Sequence, residues 1–110
     1  METAIMRRLA KAIETRLVVA FSDNQGENHI VEPFTLGVHK DTGRHVLRCY
    51  GNLPVTNTES QDCWKLFELG QIDKLQVMPI IANTERNGYE ALDKEMSEII
   101  SFTVSNRRFK

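Results

Sequence analysis

Arg48 and Tyr50, in the run Val46-Leu47-Arg48-Cys49-Tyr50, are two residues apart in a segment of strand composition. Strand alternation places residues two apart on one face. A guanidinium beside a phenol ring can hold a phosphate and stack a base. Leu47 and Cys49 read as the inward pair, which turns Arg48 and Tyr50 outward. A solvated arginine on an exposed sheet face is the commoner outcome for such a residue. Lys65, in "CWKLFEL", shares its strand face with Phe67. If that face is core, Lys65 either snorkels to the rim or reaches a ligand. Trp64 is the one tryptophan, and it reads as rim packing against the entering helix, with its N–H finding a partner.

Other chemistry is thinly signalled. His39 and His45 flank a turn but lack the further ligands that a metal site needs, and His45 reads as a turn-flanking surface residue. Asp23, Glu32, Asp62 and Asp73 are far apart in the chain, and nothing in their spacing pairs a general acid with a base. Ser60 and Cys63 have no base at a telling distance. Glycine-rich phosphate loops, nucleophile elbows and HExxH are absent. The expectation is a non-enzymatic chain with no cofactor.

The elements that position these residues follow from periodicity. The chain has 110 residues, enough for one domain spanning 1–110. Apolar residues make up 41% and charged residues 26%, both ordinary for a globular protein, which argues against a disordered chain. In residues 3–15 Ile5, Leu9, Ala12 and Ile13 line one face of a helix, with Thr3 as its expected cap. Leu17 to Phe21, His29 to His39 and Val46 to Tyr50 read as an antiparallel meander, with Gly26 and Gly43 in its turns. Residues 51–62 read as a long polar loop and 63–69 as a fourth strand. A further strand carries Leu75 and Val77 and ends at Pro79. Beyond it, residues 91–97 suit a short helix and 99–104 a final strand. The expected division is a helix over 3–15, a β-rich core over 16–78, an extension over 79–104 and a basic tail over 105–110. The expected class is mainly β: a small SH3-like or Sm-like bent sheet or barrel of about five strands with an N-terminal helix.

One stretch breaks the pattern. In "VEPFTLGV" Pro33 has no N–H to give a sheet, so the strand is expected to bulge or bend there. Without a bulge, Glu32 would share the inward face with Phe34, Leu36 and Val38.

The order of pieces resembles the WYL domain family from about Ala12 to Val77, and arguably to Val104. The resemblance is carried by "AIETRLVVAFSD", "HIVEPFTLGVHKDTGRHVLRCY" and "WKLFELGQIDKL". It implies a barrel that senses nucleotide or single-stranded nucleic-acid ligands within a regulator. The family's Trp-Tyr-Leu falls on His45-Val46-Leu47, where Leu47 alone matches. Its two arginines fall on Lys65, which keeps the charge but not the fork, and on Gln71, which keeps neither. Arg48, Lys65, Tyr50, His45 and Gln71 are therefore the candidate ligand residues. The departures keep a second reading open, a protein-interaction or homodimerisation module that has lost ligand binding. One helix ahead of the strands is too few for a helix-turn-helix.

Bulk charge gives no nucleic-acid signature, since the net charge is −1. The final "VSNRRFK" is basic and reads as a solvated tail. No apolar run reaches the ~18 residues of a membrane span, and Arg7, Arg8 and Lys11 break up the N-terminal segment. A cytoplasmic chain with no membrane partner and with reduced thiols at Cys49 and Cys63 is expected.

Overall fold

The computed structural model describes residues 2–53, 64–82 and 93–102. The expected polar loop beyond residue 53, Cys63, the loop at 83–88 and the basic tail lie outside the described residues. Six strands and one helix make up the described chain: α1 (Glu2–Thr15), β1 (Leu17–Ser22), β2 (Asn28–His39), β3 (His45–Leu53), β4 (Trp64–Glu68), β5 (Asp73–Ile81) and β6 (Met96–Phe102). A 3₁₀ turn at Leu69–Gln71 links β4 to β5. The protein is thus mainly β with an N-terminal helix, as expected. Among the described residues, no helix is long and apolar enough to cross a membrane.

The sheet is antiparallel in the order β4-β3-β2-β1-β5, with β6 also paired to β2. The long β2 explains this branching. Its first half pairs with β1, through Asn28 to Val31, and its second half pairs with β6, from Thr35 to His39. Pro33 falls between the two partners, at the one part of that edge where neither needs an N–H.

The expected bulge is present and is double. Between the pairs Ile30–Leu53 and Glu32–Tyr50, β3 carries one extra residue. Gly51 lies in this step at φ +118°, a conformation that favours glycine. Between Pro33–Cys49 and Thr35–Arg48 the extra residue is Phe34 on β2. The inward face therefore changes from odd to even numbers: Val31 and Leu36 both join the core against the helix, and Phe34 does not. Glu32 stands opposite Tyr50 on the other face, turned away from that core.

The core unites Leu9, Ala12 and Ile13 of α1 with Val19, Phe21, Val31, Leu36, Leu47, Cys49, Leu69, Ile72 and Leu75. Each Val, Leu, Ile or Phe among them contributes roughly 1.5–3 kcal/mol of hydrophobic transfer when fully buried. Arg16 ends the helix at φ +61°, with its amide donating to the Ile13 carbonyl, and the chain enters β1 directly.

Four expectations need correction. The helix already includes Glu2, so Thr3 lies inside its first turn rather than capping it. The third strand continues to Leu53 rather than ending at Tyr50. Pro79 does not end β5, which runs to Ile81; the proline falls in an irregular stretch of an outer strand, between Val77 and Ile81. Residues 93–97 are not helical. Asp93 begins a turn, and Met96 already starts β6, because the second half of β2 supplies a pairing edge.

Candidate functional site

Two faces of the sheet divide the candidate residues. Leu47 and Cys49 face the helix, so Val46, Arg48 and Tyr50 face away from it. Register brings Trp64 opposite Tyr50 and Leu66 opposite Arg48. The Trp64 ring stands edge-on to Tyr50 at 5.0 Å and to Phe34 at 4.9 Å. Trp64 thus packs in an aromatic row away from the helix, correcting its expected place against it. The bulge at Phe34 is what delivers that ring to this face.

Arg48 is on the outer face beside Tyr50, as expected, but its fork is engaged. Its Nε donates to Asp93 Oδ2 at 2.8 Å, and its Nη2 donates to Asp93 Oδ1 at 3.3 Å and to Glu95 Oε1 at 3.1 Å. Asp93 is itself built in, with Oδ1 accepting the Glu95 amide and its carbonyl accepting the Met96 amide. The Lys40 amide donates to the Glu95 carbonyl, tying the same turn to the β2–β3 hairpin. Burial pushes the Asp93 carboxyl upward, but hydrogen bonds from Arg48 and from the Glu95 amide outweigh it and hold the group below its ordinary value. The Asp93 hydrogen bond raises Arg48 above its ordinary value, against the opposing effect of burial.

Gly37 lets this arrangement close. A Cβ there would lie 2.3 Å from the Glu98 carbonyl oxygen and 2.6 Å from Met96 Sδ. Only a residue without a side chain allows β6 and Met96 so near to β2.

The other candidates are dispersed. Lys65 stands opposite Cys49 on the helix-facing side of β4, half-buried. Its neighbour Cys49 is fully enclosed, and burial pushes that thiol up to about 12. His45 opens β3 opposite Val38, on the same side as Leu47. Gln71 closes the 3₁₀ turn, its Oε1 accepting the Glu68 amide at 2.9 Å. The structure therefore brings Arg48 and Tyr50 to one face and leaves Lys65, His45 and Gln71 off it.

Sequence spacing did not reveal Asp93 and Glu95 as partners of Arg48. The pair is 45 residues apart, and the signal available was an Asp two residues before Glu95 ahead of an apolar run. Asp23 also has a partner that spacing left unassigned. Its Oδ2 meets His29 Nε2 at 3.0 Å, while Oδ1 accepts the amides of Gln25 and Glu27. These bonds, the His29 contact foremost, hold the Asp23 carboxyl below its ordinary value. The ligand atoms of Asp23, Glu27 and His29 lie within 4.8 Å of one another. A metal-bound imidazole normally donates its second N–H to a fixed acceptor. His29 Nδ1 is buried without a partner, and the ring packs against Phe21 and Phe67. This favours the tautomer in which Nε2–H donates to Asp23 and the cluster closes the β1–β2 turn.

Outside these groups, the large exposed apolar side chains among the described residues lie on two strands: Val77, Ile80 and Ile81 of β5, and Ile100 and Phe102 of β6. Register places both near the bend of β2, since Ile81 is opposite Leu17 at the start of β1 and Phe102 is opposite Thr35. Comparison with family models, curated proteins and solved structures finds no match to this chain.

Proposed function

We propose that the chain is a non-catalytic protein-docking module that associates through the apolar side chains of β5 and β6, its simplest partner being a second copy of itself. The observation that carries this is the exposure of Ile81 at 74% and Ile80 at 50%, on an outer strand of the sheet. Contiguous exposed apolar residues mark interaction surfaces in soluble domains. Pro79 and the irregular register of β5 blunt its backbone edge, so contact by side chains is favoured over strand addition. Sedimentation velocity across a concentration series tests the reading. Self-association that is abolished by Ile81→Asp supports it. A monomer at every concentration, or association untouched by Ile80→Asp and Ile81→Asp, overturns it.

The half-buried Tyr50–Trp64 pair beside Arg48 favours a second reading, the nucleotide-type or single-stranded nucleic-acid ligand that the WYL resemblance implies. An anion at Arg48 would have to displace Asp93 and Glu95, so a base stacked on the aromatic row is the part this face serves better. Because Trp64 is the one tryptophan, its fluorescence reports such binding directly. A flat titration with nucleotides and short oligonucleotides rejects it.

A further inference from the structure

The solvent face of α1 carries Arg7, Arg8 and Lys11, all exposed, with Thr3, Ala4, Glu14 and Thr15 around them. Arg7 and Lys11 are one helical turn apart, and Arg8 lies on the flank of the same face. Arg8 Nη2 donates to the Leu75 carbonyl at 2.8 Å, which fastens this face to the start of β5. The residue before Leu75 is Lys74, also exposed and held at φ +55°. It falls in the step where β5 has one more residue than β1, between Asp73 and Gln76. A non-glycine residue in that conformation is uncommon and gathers at sites under other constraints. The backbone of Lys74 thus lies beside the Arg8 guanidinium, next to the other two cations of the helix face.

Two exposed carboxylates adjoin these four cations: Glu14, one helical turn beyond Lys11 on the same face, and Asp73, whose Oδ1 accepts the Lys74 amide, so the group stays net positive. Two other arginines among the described residues are paired: Arg44 with Glu68, and Arg48 with Asp93 and Glu95. Among the described residues, Arg7, Lys11 and Lys74 enter no such pair. The strip holds no aromatic ring on which a base could stack. It also holds no large apolar side chain that could enter a membrane. What remains is closely spaced positive charge, half of it guanidinium, suited to phosphate.

We propose that Arg7, Arg8, Lys11 and Lys74 form a surface that contacts the phosphate backbone of nucleic acid without reading its sequence. The surface shares no residue with the aromatic row or with the exposed apolar set of β5 and β6, so it stands or falls apart from both readings above. Few phosphates are engaged, so binding is weak and strongly salt-dependent.

The test is fluorescence anisotropy of the full chain with a labelled mixed-sequence DNA duplex over a low-salt series. Three to four phosphate contacts give a log–log salt slope of about −3. Arg7→Gln with Lys11→Gln lowers affinity at least about tenfold at low salt and reduces the slope by about two, roughly one per lost contact. Both side chains are exposed, and unchanged thermal melting shows that the double variant is folded. Arg44→Gln, remote and already paired, leaves binding unchanged. The absence of duplex binding, a salt-independent signal, or a double variant that binds like the parent overturns the proposal. Equal or tighter binding to polyglutamate or to phosphatidylserine vesicles overturns it in favour of another anionic partner.

Discussion

Arg48 on β3 grips Asp93, in the turn before β6, with two nitrogens at 2.8 and 3.3 Å, joining segments 45 residues apart. The strand β2 lies between their elements in the sheet, so the pair reaches across it. The two side chains are 21% and 8% exposed, so screening is limited and the geometry favours a net contribution. Removing one partner leaves the other desolvated. Arg48→Ala is expected to cost about 2–3 kcal/mol, somewhat below the loss for a fully buried pair. Arg48→Lys should recover part of it, because the charge remains and the fork is lost. Urea unfolding of both variants and of Asp93→Asn in a double-mutant cycle measures the coupling. Additive effects would show that the contact carries no energy of its own.

Acid should weaken the same link. The folded Asp93 and Asp23 carboxyls are both held below their ordinary values. A depressed carboxyl stabilises the fold above its unfolded pKa, near 4, and that stability is lost as pH falls through the lower folded value. Stability measured from pH 6 downward should therefore decline below about pH 4. In Asp93→Asn the decline should be shallower, and an identical acid limb would count against the assignment.

Gly37→Ala should be more damaging than its single methyl suggests. The new Cβ meets the backbone oxygen of Glu98, which cannot rotate away, as well as Met96 Sδ. Overpacking of this kind costs about 1–3 kcal/mol. Hydrogen exchange over 96–102 should rise more than over β1, because the clash separates β6 from β2. Uniform protection in both strands would refute this.

Cys49 should be inert. Its thiol is enclosed and pushed up to about 12, leaving almost no thiolate at neutral pH. Peptide mapping after alkylation should find Cys49 unmodified in the folded protein and modified once urea is added. Fast labelling under native conditions would mean that the core opens locally.

Much of the fold is written in local pattern. The apolar spacing of Ile5, Leu9, Ala12 and Ile13 marks the helix and its buried face. Alternation and turn residues mark β1 to β3, and Pro33 announces that β2 cannot continue unbroken. These signals are legible because a helix face or a hairpin depends on residues close in the chain. The segment at 93–102 was not legible in the same way. Its residues suit helix and strand alike, and the open edge of β2 decided between them.

The candidate site depended still more on tertiary structure. Sequence alone determined that Arg48 and Tyr50 share a face, since alternation requires it. It could not determine that the Arg48 fork is occupied, because Asp93 and Glu95 reach it only when β6 docks on β2. Nor could it determine that Phe34 leaves the helix-facing core for Trp64. That turns on a one-residue bulge, and a shift of one residue moves a side chain to the opposite face. The placing of the Lys74 backbone beside the basic face of α1 has the same origin: one hydrogen bond from Arg8 to Leu75, across 67 residues of chain, fastens the helix to the start of β5.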